Sequence, residues 1–234
     1  MMLELSNELN AAQRMGMSPK QIKARNMKDM IEFSQHFIQG LWFGSDALLQ
    51  LPNFTNDEVK TYKRILKDHQ IIEGSIHTFC KLEAEKRAKL GLFGDDAAKL
   101  AQLEKVVKAM PVVEVAAEAF TEGEKTISMI DVITLCFSVK YTNLAENEAP
   151  GYVHSSNFPF LKRQKWYVIV ADGATRDIVI ACAPLEFKTK DGKDTNIAKL
   201  EIKQRFGRAG SYTFHAYFMC DSYIGFDKEV ELKF

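Results

Sequence analysis

The feature that most constrains this chain is a change of period at Met110-Pro111. Before it, apolar residues recur every three to four positions; after it, they alternate with polar ones. The two periods place different sets of side chains on one face, so a segment built for a helix does not serve as a half-buried strand. One switch near the middle reads as α+β, with helices gathered before strands. The expected division is residues 1–110 as a helical bundle with a helix-loop-helix, and residues 111–234 as an antiparallel β-sandwich.

Start and stop signals place the helices. Ser18-Pro19-Lys20-Gln21 opens one: Ser18 caps, Pro19 suits the first turn and Gln21 completes a capping box. Ile22, Met27, Met30, Ile31, Phe37, Ile38, Leu41 and Trp42 then fall mostly on one face, with Gly44 as the stop. A short helix over 46–50 precedes Leu51-Pro52. Thr55-Asn56-Asp57-Glu58 is a second capping box, followed by Val59, Tyr62, Ile65 and Leu66. Ile71, Ile72, Ile76 and Phe79 predict a compact turn, and 83–92 and 96–110 two more helices broken at Gly94-Asp95.

Strands are expected at 113–118, 127–141, 166–171, 177–183, 198–203, 211–219 and 228–234, with turns at 121–124, Asp172-Gly173, Asp191-Gly192 and 207–210. About seven short strands with this punctuation form a sandwich. Residues 145–156 are a polar loop. Trp166 heads an alternating strand and reads as core. The last eighteen residues are a strand, a polar corner and a final strand, with Asp221, Ser222 and Gly225 as turn chemistry: short polar side chains bond nearby backbone, and glycine tolerates positive φ. These three are expected to be structural.

Composition narrows the function. Lys plus Arg and Asp plus Glu both number 31, so there is no basic excess for a broad nucleic-acid footprint. The stretch 51–55 and its following helix resemble a backbone-gripping hairpin, but Lys60, Lys63, Arg64 and Lys67 are offset by Asp57, Glu58 and Asp68. No apolar run approaches the roughly 20 residues of a membrane span, and no signal-peptide pattern opens the chain. The four cysteines lack CxxC spacing and the five histidines lack ligand spacing. No GxSxG, P-loop or Rossmann glycine pattern occurs. His215 and Cys220 lie at odd separation on one strand and face opposite ways. The expectation is a non-enzymatic chain with no cofactor, no metal and no small-molecule substrate. Its most interaction-prone segment is Phe158-Pro159-Phe160-Leu161-Lys162-Arg163. There Phe158 and Phe160 offer contact area, and Lys162 and Arg163 set orientation against an acidic partner segment; the alternative is that the rings plug the end of the sandwich and the two cations are merely solvated. On either reading, reversing both cations should leave folding alone.

Several segments together resemble the Sec-sixty-three (Sec63) domain family. They are Gln39-Gly40-Leu41-Trp42 with 48–54 (LLQLPNF), Met110-Pro111 leading into a strand, 121–124, Phe158-Pro159-Phe160 before Trp166, Val170-Ala171-Asp172, and 220–227 (CDSYIGFD). The resemblance covers about residues 27–234. It implies a helical bundle, a helix-loop-helix and a fibronectin-type-III- or immunoglobulin-like sandwich. It also implies one of two settings: the J-domain-containing subunit of the endoplasmic-reticulum protein translocon, or the cassettes of spliceosomal-type RNA helicases. The segments 121–124, 158–160 and 171–172 resemble translocon members more. The implied partner is then the channel subunit with its accessory subunits, at the cytosolic face of the endoplasmic-reticulum membrane. This sequence holds no His-Pro-Asp triplet, so the lumenal Hsp70 would be reached only through a J domain absent from it.

Overall fold

In the computed structural model, residues 8, 10, 11, 15, 22–68, 74–121, 132–205 and 210–234 are described. The expectations for Ser18–Gln21, Ile71 and Ile72, the 122–124 turn, 127–131 and 207–209 fall outside them. The helices are α1 (Ala24–Gln39), α2 (Asn56–Asp68), α3 (Ile76–Lys81), α4 (Ala84–Ala88) and α5 (Ala97–Ala109). A 3₁₀ turn (Ala47–Gln50), capped by the Asp46 carboxylate, links α1 to α2. The Thr55 hydroxyl caps α2 by accepting from the Asp57 and Glu58 N–H groups, and it donates to the Glu58 carboxylate.

The strands are β1 (Val113–Thr121), β2 (Val132–Tyr141), β3 (Trp166–Asp172), β4 (Val179–Leu185), β5 (Ile197–Arg205), β6 (Thr213–Cys220) and β7 (Lys228–Lys233). They form two antiparallel sheets, ordered β1-β2-β5 and β4-β3-β6-β7. Helix α5 ends at Ala109 and β1 begins at Val113, so the period switch coincides with the change of structure.

Strands β3 and β6 are buried on both faces. Val168, Val170, Ala216 and Phe218 point into the sandwich with Leu135, Phe137 and Val139. The alternate residues, Ile169, Ala171, Tyr217 and Met219, pack under Ala24, Met27 and Ile31 of α1. This double cover explains why these two strands read as nearly unbroken apolar runs. Trp166 is fully buried, and its Nε1 donates to the Tyr141 hydroxyl at 2.8 Å. The Tyr141 hydroxyl donates in turn to Gln164 Oε1 at 2.6 Å.

The remaining helices share the sandwich's main core. Leu48, Phe54, Tyr62, Phe79, Leu103 and Val107 are continuous with Tyr223 and Phe226 of the last corner. Arg87 is buried and donates to carbonyls at the end of α3 while pairing with Glu104 of α5. It satisfies acceptors that a six-residue helix would otherwise leave open.

Two readings are corrected. Helix α1 stops at Gly40, not Gly44: Gly40 takes φ 64°, and the chain turns out after it. Leu41 and Trp42 therefore leave the helical register. Phe37 and Trp42 are 67% and 87% exposed, and do not belong to the apolar face that Met27, Ile31 and Ile38 bury.

Candidate functional site

The corner between β6 and β7 is held from three sides. Asp221 and Lys165 pair through backbone, Asp221 N–H donating to the Lys165 carbonyl at 2.9 Å. The Asp221 carboxylate accepts from the Lys165 N–H at 3.0 Å, from Lys162 Nζ at 2.6 Å and from the Ser222 hydroxyl. These bonds cross to the start of β3, whereas a local turn was expected. Gly225 has φ 85°, and a Cβ there would lie 3.0 Å from Ile76 Cγ2 and 3.2 Å from Ala47 Cβ. Glycine is thus required both for conformation and for contact with the helices.

Three buried glutamines tie the helical half to this corner. Gln35 Nε2 donates to the Cys220 carbonyl at 2.7 Å and to both Asp227 oxygens at 3.0 Å. Gln39 Nε2 donates to the Ser222 carbonyl at 2.7 Å, and Gln50 exchanges two bonds with the Ile224 backbone. Burial pushes the Asp227 carboxyl up to about 6, against the Gln35 and Cys220 donors that favour its ionised form. Across the corner, burial and then Lys228 and Lys81 push His77 down to about 4.

The 152–165 segment is anchored to α1. Ser155 Oγ donates to the Ile38 carbonyl at 2.7 Å, and Asn157 Nδ2 to the Gln39 carbonyl at 3.1 Å. Gly40 fits beneath Asn157, because a Cβ there would sit 2.8 Å from that side chain. The Ser155 hydroxyl also accepts from the Phe158 N–H. So the loop carrying the predicted interaction residues is fixed at its base.

The structure separates those residues. Phe160 and its neighbour Leu161 are 72% and 84% exposed, Phe158 is half-buried and Arg163 is exposed with its guanidinium 5.1 Å over the Tyr152 ring. Lys162 is different. Its Nζ is bound to Asp221 and lies 3.0 Å from Ser222 Oγ, so it is not a solvated cation and its reversal would set two carboxylates together. The two sets predicted separately, 158–163 and 221–225, are therefore joined through Lys162.

Sequence reasoning missed the ring cluster beside this loop. Phe33 and Phe37 of α1 stack at 6.2 Å, Phe33 and Phe43 at 6.4 Å, and Phe37 meets Phe158 edge-on at 6.4 Å. An open hollow of about 440 Å³ lies among Phe33, Phe37, Trp42 and Phe43. The signal was present: Phe33 and Phe37 are four apart, on a different row from Met27, Ile31 and Ile38.

Helical half, sandwich and glutamine-clamped corner occur here in one arrangement, and the Sec63 Brl domain profile matches residues 9–233. The chain belongs to the Sec63 Brl domain family. Similar proteins are of two kinds. The DExH-box ATP-dependent RNA helicase DExH12 of Arabidopsis thaliana is 28% identical over 85% of this chain and 8% of the helicase. The U5 small nuclear ribonucleoprotein 200 kDa helicase of Homo sapiens is 25% identical over 85% of this chain and 8% of its own length. The DnaJ protein ERDJ2A of Arabidopsis thaliana is 26% identical over 81% of this chain and 32% of its own. This Sec63 Brl domain thus spans a third or less of these relatives. Among its described residues, no helix is long and apolar enough to cross a membrane.

Proposed function

We propose that this Sec63 Brl domain is a non-enzymatic interaction module of the endoplasmic-reticulum translocon. In this reading it works at the cytosolic face of the membrane, where it holds the channel subunit and supports translocation into the lumen. The observation that carries the proposal is the rigidly anchored loop presenting Phe160, Leu161 and Arg163 to solvent. Exposed apolar side chains on a fixed base are a binding surface that loses little order on contact. Lys162, bound to Asp221, orients the loop; Asp221, Ser222 and Gly225 keep the corner in shape. The helical residues 1–110 serve as a prop for the sandwich, residues 111–234, which we read as fibronectin-type-III- or immunoglobulin-like. Its division into three and four strands supports that reading. Grip on a channel loop shifts the channel toward an open state only if it binds that state more tightly. The lumenal Hsp70 would be reached only through a J domain.

The similarity to ERDJ2A, a DnaJ protein, supports the translocon setting. The second reading, an accessory domain of a spliceosomal-type RNA helicase, is favoured by the match to DExH12 over 85% of the chain. The test is direct binding to the purified channel subunit and to small nuclear RNA at two salt concentrations. The translocon reading expects the channel to bind more tightly at both. Tighter binding to the RNA, weakening steeply with salt, would select the helicase reading.

A further inference from the structure

We propose that Tyr152 and Arg163 form a carboxylate-recognising unit beside the exposed loop. Arg163 takes an aspartate or glutamate side chain of the partner, and Tyr152 is the positioning residue that holds the guanidinium for it. The proposal rests on the interaction-module reading above and names the chemistry that the partner must carry at this point.

Tyr152 and Arg163 oppose each other across an isolated antiparallel bridge, beside which the Val153 N–H donates to the Lys162 carbonyl at 2.8 Å. Directly opposed residues send their side chains to one face. The guanidinium carbon accordingly lies 5.1 Å from the centroid of the Tyr152 ring, which is itself 52% exposed. A ring engages the flat side of a guanidinium and leaves its N–H edge open. Among the described residues, Arg163 forms no salt bridge and its guanidinium donates no hydrogen bond. A fork of free donors on a restraining ring matches the two oxygens of a carboxylate.

The neighbouring charges favour a single carboxylate over a phosphate backbone. Lys162 is bound to Asp221 and Lys188 to Asp194, so neither is open to a partner. Lys188, and more weakly Arg163, hold the Asp194 carboxyl below the usual range; the field of Arg163 thus already reaches a carboxylate beside it. A phosphate chain carries a charge at every link and needs a run of uncompensated cations, and it would also meet Asp194. One carboxylate needs only the fork. Leu161 and Arg163 are exposed while Lys162 and Gln164 turn in, so the outward side chains stand roughly 7 Å apart, as on an extended chain. The partner segment then carries an apolar side chain two positions from its carboxylate.

The test titrates the whole chain with two short threonine-rich peptides, capped at both ends. One carries a glutamate with a leucine two positions to either side, and the other a glutamine in its place. The Leu161 amide resonance reports binding in every variant. The glutamate peptide should bind about fivefold more tightly than the glutamine peptide at low salt, the scale of an exposed ion pair with good geometry. Arg163→Lys should cut that preference to about twofold, because an ammonium has no fork. Tyr152→Leu should do the same, with the melting temperature and the affinity for the glutamine peptide unchanged, and Tyr152→Phe should keep the full preference. A residue that only shaped the loop would weaken both peptides alike. Equal binding of the two peptides, binding by neither, or a preference that survives Tyr152→Leu overturns the inference. So does oligouridylate shifting the same resonance at a lower concentration than the glutamate peptide. If the preference fails while the channel subunit still binds through Phe160, the module reading stands and this assignment falls. If the preference holds and the channel subunit does not bind, the reverse is true.

Discussion

Asp227 and His77 flank the same corner and titrate in opposite senses. An unfolded aspartate ionises near pH 4, whereas burial holds the Asp227 carboxyl at about 6. Folding then takes up a proton between these values, so Asp227 costs stability progressively as pH rises from about 4 to about 6. His77 falls from the ordinary 6.5 to about 4, so its cost grows as pH drops through that window. Urea unfolding from pH 4 to 7 separates them. Asp227→Asn should gain stability relative to wild type as pH rises, and His77→Gln should lose it; a flat difference for either contradicts the assignment. Asp221 gathers a backbone N–H, an ammonium and a hydroxyl. Asp221→Ala should therefore cost about 2–3 kcal/mol by the same unfolding assay, because it strands a half-buried Lys162. Trp166→Ala should cost about 3–5 kcal/mol, read as a lowered melting temperature, since a large cavity replaces a fully buried ring.

At the scale of elements, strands such as β1 and β7 were legible because alternation is a direct image of which face is buried, whereas β3 and β6, covered on both faces, were legible as short apolar runs between turns. The segment 228–234 reads as a strand, and β7 occupies Lys228–Lys233. The end of α1 was not legible. Gly40 and Gly44 both take positive φ, and only the contact between Gly40 and Asn157, 117 positions away, decides which one stops the helix. Periodicity placed Phe37 among apolar neighbours, but it does not say whether another element covers a given row. Gln39 and Gln50 stood out only as members of the family segments, and Gln35 not at all, because a buried amide looks like a surface amide until its carbonyl partners are known. Gly40→Ala should destabilise by about 1–2 kcal/mol through its positive φ, and by more if Asn157 cannot move. That is a drop of about 2–4 °C in melting temperature per kcal/mol at this size. Hydrogen exchange should show loosening at both α1 and the 152–158 loop; loosening of α1 alone would mean that the two are not coupled there.

For the whole molecule, one hydrophobic cluster runs from Leu48 through Val107 into the sandwich, and the glutamine bonds cross the same junction. In the proposed reading the helical half positions the sandwich and the loop 158–163 is the surface on offer. The setting was legible in the sequence only as far as the family. The Cys220–Asp227 corner marks the fold, whereas helicases and DnaJ proteins both carry matching chains. The most direct measurement is the affinity of the chain for the purified channel subunit in nanodiscs, comparing wild type with Phe160→Ser plus Leu161→Ser. The account predicts that wild type binds, and that the variant melts normally and binds at least about tenfold more weakly, the loss of two exposed apolar anchors. Equal affinity for both proteins, or no binding of wild type where small nuclear RNA does bind, would contradict it.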